Sequence, residues 1–201
     1  MQFFGLSKVL GTGMSALLLT AAASAGAQES GERGWWQTVQ DMGQGARERV
    51  ENIYDTGKLD VYFSGYAYHG RSTYTRERLH ELNEEAWGLG IGKSIRNAKG
   101  NEESIFLIGI SDSHCYPQIM AGYAYQWMWS VGQSGLEVGA GLAPMLVSRR
   151  DYFGGVPFPA VFPIASVGTQ NFKMLASYVP RLSSNKGNGD VLFLFGKVSF
   201  D

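Results

Sequence analysis

His69 and the adjacent pair Asp112-Ser113 supply an imidazole, a carboxylate and a hydroxyl, the group types that acyl transfer uses. The hydroxyl can act as nucleophile or hydrogen-bond donor, and the imidazole as base. The same three residue types also suit a polar rim beside lipid headgroups, so type alone does not decide between the two readings. His80 lies in a charged stretch and reads as solvated. His114 and Cys115 adjoin the Asp-Ser pair but have no second ligand cluster, so no metal or other cofactor is expected. Arg149-Arg150-Asp151 fits either a phosphate clamp or a solvated charge cluster.

These residues can meet only if the chain brings strand ends together. From residue 59 onward the hydropathy period is two, and alternation over 59–69 places Val61, Phe63, Gly65, Ala67 and His69 on one face. Further alternating runs cover 86–94, 104–111, 118–130, 136–147, 161–169, 171–179 and 190–200. Turn-forming residues at 97–101, 132–135 and 183–189 separate several of them. Short turns alternate with longer polar connections at 70–85 and 148–160, which is how outer-membrane barrels are built. His69 ends the first run and Asp112-Ser113 follow the third, so a closed sheet would gather all three at one mouth. The pattern predicts an all-β fold: an eight-stranded antiparallel transmembrane β-barrel with an N-terminal amphipathic α-helix.

The N-terminal part is organised differently. A single positive charge, an apolar run over 9–23 and Ala25-Gly26-Ala27 read as a cleaved signal peptide spanning 1–27. Apolar residues at helical spacing (Trp35, Trp36, Val39, Met42, Ala46, Val50, Ile53) predict the amphipathic helix within 28–57. The paired Trp residues suit a membrane interface, and packing on a soluble partner is the alternative. Residues 58–201 then form the barrel. A net charge of −1 with 17% charged residues gives no general attraction to nucleic acid, and none is expected as a partner. One cysteine cannot form an intramolecular disulfide. The last strand nearly ends on an aromatic residue, Phe200, as outer-membrane barrels commonly do, with Asp201 after it.

The inward face says what such a barrel could hold. A porin lumen is polar. Here the inward sets are Met120, Gly122, Ala124, Gln126 and Met128, and Val191, Phe193, Phe195, Lys197 and Ser199. Tyr123, Tyr125, Trp127 and Trp129 would face lipid. One half of the lumen is therefore apolar, and Gly88, Gly90 and Gly92 alternate onto one side of their strand, leaving room for something slender. A bound hydrocarbon chain and a packed, ligand-free interior both fit this composition.

The residues resemble the lipid A palmitoyltransferases of the PagP type across nearly all the mature sequence. The shared blocks are His69, Tyr74-Thr75-Arg76-Glu77-Arg78, Asn83-Glu84, Trp87-Gly88 with Gly90 and Gly92, Asp112-Ser113, and Ala121-Gly122-Tyr123. They continue through the run from Pro157 to Gly168, Tyr178-Val179-Pro180 and Gly187-Asn188-Gly189. The resemblance implies a helix docked on an eight-stranded barrel that holds one acyl chain. It implies transfer of a palmitoyl group from the sn-1 position of a phospholipid donor to a hydroxyl of lipid A, the lipopolysaccharide acceptor, by a monomer in the outer membrane. His69 would be the general base, with Asp112 and Ser113 positioning the substrate or stabilising the oxyanion.

Gly88, Gly90, Met120, Gly122 and Ala124 would contact the acyl chain. Pro163 and Pro180 match the family's prolines where strand pairing is interrupted for lipid entry. The family's second proline pair is replaced by Ser64 and Ala86, so a second lateral opening is not carried over. The position of Ala124 is glycine in the best-known members, where it floors the acyl pocket. The added methyl removes room for about one methylene, implying slightly relaxed or shortened selectivity around palmitate. The competing reading is a non-enzymatic small outer-membrane barrel, an adhesin or structural protein. The apolar half-lumen and the His/Asp-Ser rim favour the enzyme.

Overall fold

The alternating segments form a closed ladder because each carries one apolar outer face and must satisfy every backbone donor and acceptor. The structure, a computed structural model, describes residues 34–111, 116–150, 153–181 and 189–201. The segment read as a signal peptide lies outside them. The chain divides into two compact units, Met1–Gly57 and Lys58–Asp201.

In the first unit, helix α1 (Trp35–Thr56) buries Ala46, Val50 and Ile53, a stripe at four- and three-residue steps. Trp35 and Trp36 are exposed and stacked, with ring centroids 3.9 Å apart. The helix stops at Gly57, whose N–H donates to the Ile53 carbonyl at 2.9 Å.

The second unit runs β1 (Lys58–His69), α2 (Arg76–Glu81), β2 (Gly88–Arg96), β3 (Glu102–Ser111), β4 (Pro117–Ser130), β5 (Glu137–Ser148), β6 (Phe158–Gly168), β7 (Phe172–Val179) and β8 (Val191–Phe200). The eight strands pair in sequence order, and β1 closes on β8 from Leu59↔Phe200 to His69↔Val191. All neighbours are antiparallel, as the period-two runs predict. Leu89, Ile91, Leu107, Ile119, Leu142 and Val167 are exposed on the outer wall.

The structure corrects one face assignment and one expected lipid contact. In β1 the buried residues are Asp60, Tyr62 and Ser64, then Ala67 and His69. The pairing with β8 slips between Ser64 and Tyr66, so a bulge at Gly65 turns the strand's inward parity over. Val61 and Phe63 therefore lie opposite to Ala67 and His69. On β4, Tyr123 does point away from the lumen but is buried, and its hydroxyl donates to Glu103 at 2.9 Å.

The barrel end away from His69 is filled by charge. Lys197 donates to Glu102 at 2.7 Å and to Asp60 at 3.2 Å, and Lys173 donates to Glu102 at 2.6 Å. Arg96 pairs with Glu137 and approaches Glu102 at 3.5 Å, while Glu137 lies 3.8 Å from Lys173. Ser199 donates to Asp60 at 2.5 Å. Three carboxylates thus balance three cations where both lysines are fully buried. Removing one partner of such a set is severe because the other stays buried and unmatched. Glu102→Ala, which leaves two lysines short of a counter-charge, should destabilise the barrel by about 3–5 kcal/mol. Thermal unfolding in detergent micelles followed by circular dichroism tests this, and an unshifted midpoint would contradict it.

Candidate active site

Above the charged layer the lumen opens into an apolar cavity of about 210 Å³. It runs from Ala67, Ser111 and Val191 near the His69 rim to Gln126 and Lys197. Register produces this lining. Inward positions of β4 and β5 place Met120 opposite Val147 and Gly122 opposite Met145, while β8 contributes Phe193 and Phe195.

The residues predicted to contact substrate divide here. Met120 and Ala124 line the cavity. Gly88, Gly90 and Gly122 face inward but are not among its lining residues, because neighbouring strands occupy the space their side chains would take. A Cβ on Gly88 would stand 2.2 Å from the Gly109 carbonyl oxygen, and one on Gly122 2.5 Å from the Met145 Cβ. These glycines draw adjacent strands together and shape the cavity indirectly.

Two ladders stop short of the rim. β6 and β7 pair only from Gly168↔Lys173 to Ile164↔Ser177, so pairing ends at Pro163. Proline has no N–H to offer, and the Ser177 hydroxyl donates to the Pro163 carbonyl at 3.1 Å. Pro180 directly follows the last residue of β7. The second stop lies between β1 and β2, which pair from Lys58↔Ser94 to Ser64↔Gly88 and no further. No proline is involved. The Ser64 hydroxyl instead takes the Ala86 carbonyl, and the Ala67 N–H bonds the Glu84 carbonyl at 2.8 Å. Sequence reasoning tied such a gap to prolines and missed the Gly65 bulge, although a glycine inside a strand pattern is its signal. A third irregularity went unread: the β4–β5 register passes from Gly122↔Met145 to Tyr125↔Leu142 across Pro144.

His69 ends β1 almost fully buried, at 1% exposure. The connection after it folds back. The Gly70 N–H donates to the Asp190 carbonyl at 2.9 Å, and Thr73 bonds the Asp190 carboxylate. This brings the Tyr74 ring edge-on to His69, with centroids 5.3 Å apart at 83°. Only glycine fits at 189, where a Cβ would stand 2.3 Å from that tyrosine ring.

Glu84 lies against His69, with Oε1 3.2 Å from the His69 backbone N–H and 3.5 Å from Nδ1. Arg71 donates through Nη2 to Oε2 at 2.9 Å and its Nη1 lies 2.9 Å from Oε1, and the Tyr66 hydroxyl donates to Oε2 at 2.5 Å. Burial alone would push the Glu84 carboxyl up. The hydrogen bonds from Tyr66, Arg71 and the His69 backbone outweigh it and hold the pKa at about 2.

Asp112, Ser113, His114 and Cys115 lie outside the described residues. The strand ends that flank them, Ser111 and Pro117, pair with each other at the same end of the barrel as His69. Arg149 lines the cavity near this rim, Arg150 sits 5.0 Å over the Tyr116 ring, and Asp151 is outside the described residues. His80 is exposed on α2.

A family profile described as "Antimicrobial peptide resistance and lipid A acylation protein PagP" matches residues 49–197. A Bordetella pertussis (strain Tohama I) protein named "Lipid A acyltransferase PagP" is 37% identical over 157 residues, spanning 78% of this chain and 84% of that protein. Proteins of the same name from Methylobacillus flagellatus and Legionella pneumophila (strain Philadelphia 1) are each 39% identical. They span 76% of this chain and 81% and 80% of their own lengths respectively.

Because the folded pKa of Glu84 lies below the ordinary 4.5, its contribution to stability is complete above pH 4.5 and is lost as pH falls toward 2. A carboxyl-carbon NMR titration should give Glu84 a midpoint near 2; a midpoint near 4.5 would mean these rim hydrogen bonds do not form in solution.

Proposed function

The chain belongs to the PagP family of lipid A acyltransferases, and on that premise we propose that it moves a palmitoyl or similar chain from the sn-1 position of a phospholipid to a hydroxyl of lipid A. The observation that carries this reading is the apolar cavity inside the closed barrel, reaching a rim where His69 is buried beside a carboxylate. A hydrocarbon chain is the ligand whose chemistry matches such a lining.

The reaction breaks the donor ester and forms a new one. His69 takes the proton of the lipid A hydroxyl as that oxygen attacks the acyl carbonyl, and returns it to the departing lysophospholipid oxygen. Asp112 and Ser113 position the carbonyl or stabilise its developing negative charge. The acyl chain lies in the cavity with Ala124 toward its far end, above Gln126. Donor lipid enters sideways where β6–β7 pairing ends at Pro163, near Pro180. Exposed Leu89, Ile91, Trp127 and Trp129 on the outer wall support an outer-membrane location for a monomeric barrel, reached through a signal peptide cleaved after residue 27.

Expression in a Gram-negative host that lacks the activity tests the reaction. Lipid A mass spectra should gain one acyl mass with the wild type and none with His69→Ala or Ser113→Ala. No gain with the wild type would refute the enzyme reading, whereas a gain with Ser113→Ala would refute only that residue's role. Ala124→Gly should shift the added chain toward greater length, since each newly accommodated methylene is worth ~0.8 kcal/mol. An unchanged length distribution would show that Ala124 is not the floor.

A further inference from the structure

We propose that the Gln118 side-chain amide is a further catalytic group: it donates a hydrogen bond to the carbonyl oxygen of the donor ester and stabilises the negative charge that develops there. This rests on the acyl-transfer reading above. It adds to that reading a residue to which neither sequence pattern nor family resemblance gave a role.

The chemistry sets the requirement. As the acceptor hydroxyl adds to the acyl carbon, the carbonyl π pair moves onto its oxygen. When the donor oxygen departs with a proton, that pair re-forms the double bond. An oxyanion of this kind is held by donors already in place before the reaction starts. Of Asp112 and Ser113, only the serine has a proton to give, because an ionised carboxylate is acceptor-only. The pair therefore supplies one side-chain donor, and the mouth of the cavity offers another.

β4 begins at Pro117, which pairs with Ser111, and Gln118 pairs with Ile110 one step further in. Asp112 and Ser113 follow Ser111 directly in the chain, so Gln118 stands at the strand end from which they continue. Its side chain shares the inward parity of Met120 and Ala124 and lines the cavity with them. Ala124 lies about 20 Å further along β4 at ~3.3 Å per residue. Gln118 therefore meets the carbonyl end of an enclosed chain, and Ala124 the methyl end.

Other polar groups in the lining are committed. The Ser177 hydroxyl donates to the Pro163 carbonyl, and Lys197 donates to Glu102 at the closed end. Gln118 is half-buried, and its side chain forms no hydrogen bond with any described residue. Once a lipid excludes water from the mouth, an unpaired amide is costly, and the ester carbonyl supplies the acceptor it lacks. Met120, Val147 and Phe158 form the next level of the lining. They lower the local dielectric, which strengthens a hydrogen bond to growing charge. Arg149, just beyond β5, also lines the cavity and places a guanidinium at the same mouth.

The test uses the full-length barrel in detergent, in excess over a phospholipid whose sn-1 carbonyl carries ¹³C, so that its infrared stretch stands apart from other esters. Without lipid A, the wild-type band should lie at lower frequency than the band with Gln118→Met, which keeps the side-chain length but has no N–H. With purified lipid A, Gln118→Met should lower kcat by roughly a hundredfold to a thousandfold with little change in KM. Gln118→Glu replaces the donor by an acceptor of the same shape and should lose kcat likewise.

Both variants should unfold at the wild-type temperature. Equal band positions in wild type and Gln118→Met, or kcat retained in both variants, would overturn the proposal. A lowered unfolding temperature with an unmoved band would assign Gln118 to support of the rim and overturn it as well. Should the wild type transfer no acyl chain, the reaction reading fails, and the infrared comparison alone still decides whether Gln118 meets the donor ester.

Discussion

Six charged side chains inside a narrow barrel must balance one another, and the rest of the molecule is arranged around that requirement. Asp60, Glu102, Glu137, Lys173, Lys197 and Arg96 stand on six different strands, so the set is complete only when the sheet has closed in register. A slip of one residue would turn these groups out of the lumen and leave partners buried without a counter-charge. The network therefore fixes register as well as filling the lower half of the barrel. With one half plugged in this way, the other half can stay open and apolar.

The upper half uses the opposite device, withholding interactions that a sheet ordinarily makes. Pairing stops at Pro163 between β6 and β7 and at Ser64 between β1 and β2, while β1–β8 continues to the rim. The freed carbonyls of Pro163 and Ala86 are taken by serine hydroxyls, which satisfies the backbone without restoring the ladder. The Gly65 bulge turns β1 so that Ala67 and His69 point inward above the gap. Cavity, interrupted wall and buried imidazole thus follow from a few local departures on a regular frame.

Much of that frame was legible in the sequence because strand alternation is a local signal. All eight strands and the inward set of β8 follow from it. What escaped was non-local or broke the period. Continuing alternation through Gly65 put Val61 and His69 on one face, because the spacing carries no slip and only the glycine itself signals it. Lys197 was read as lumen polarity, but its bonds to Asp60 and Glu102 on other strands become visible only once the barrel closes. Glu84 stood in a shared block without a role, and only the fold places it against His69. The inward glycines were read as open space, whereas neighbouring strands fill the volume they leave.

The central claim is that the chain being transferred lies inside the barrel. A phospholipid carrying a photoreactive diazirine at the methyl end of its sn-1 chain can be illuminated with the purified protein and the crosslinks mapped by mass spectrometry. This account predicts labelling of lumen residues around Ala124, Met145 and Gln126. Labelling confined to outer-wall residues such as Trp127 and Phe172 would contradict it.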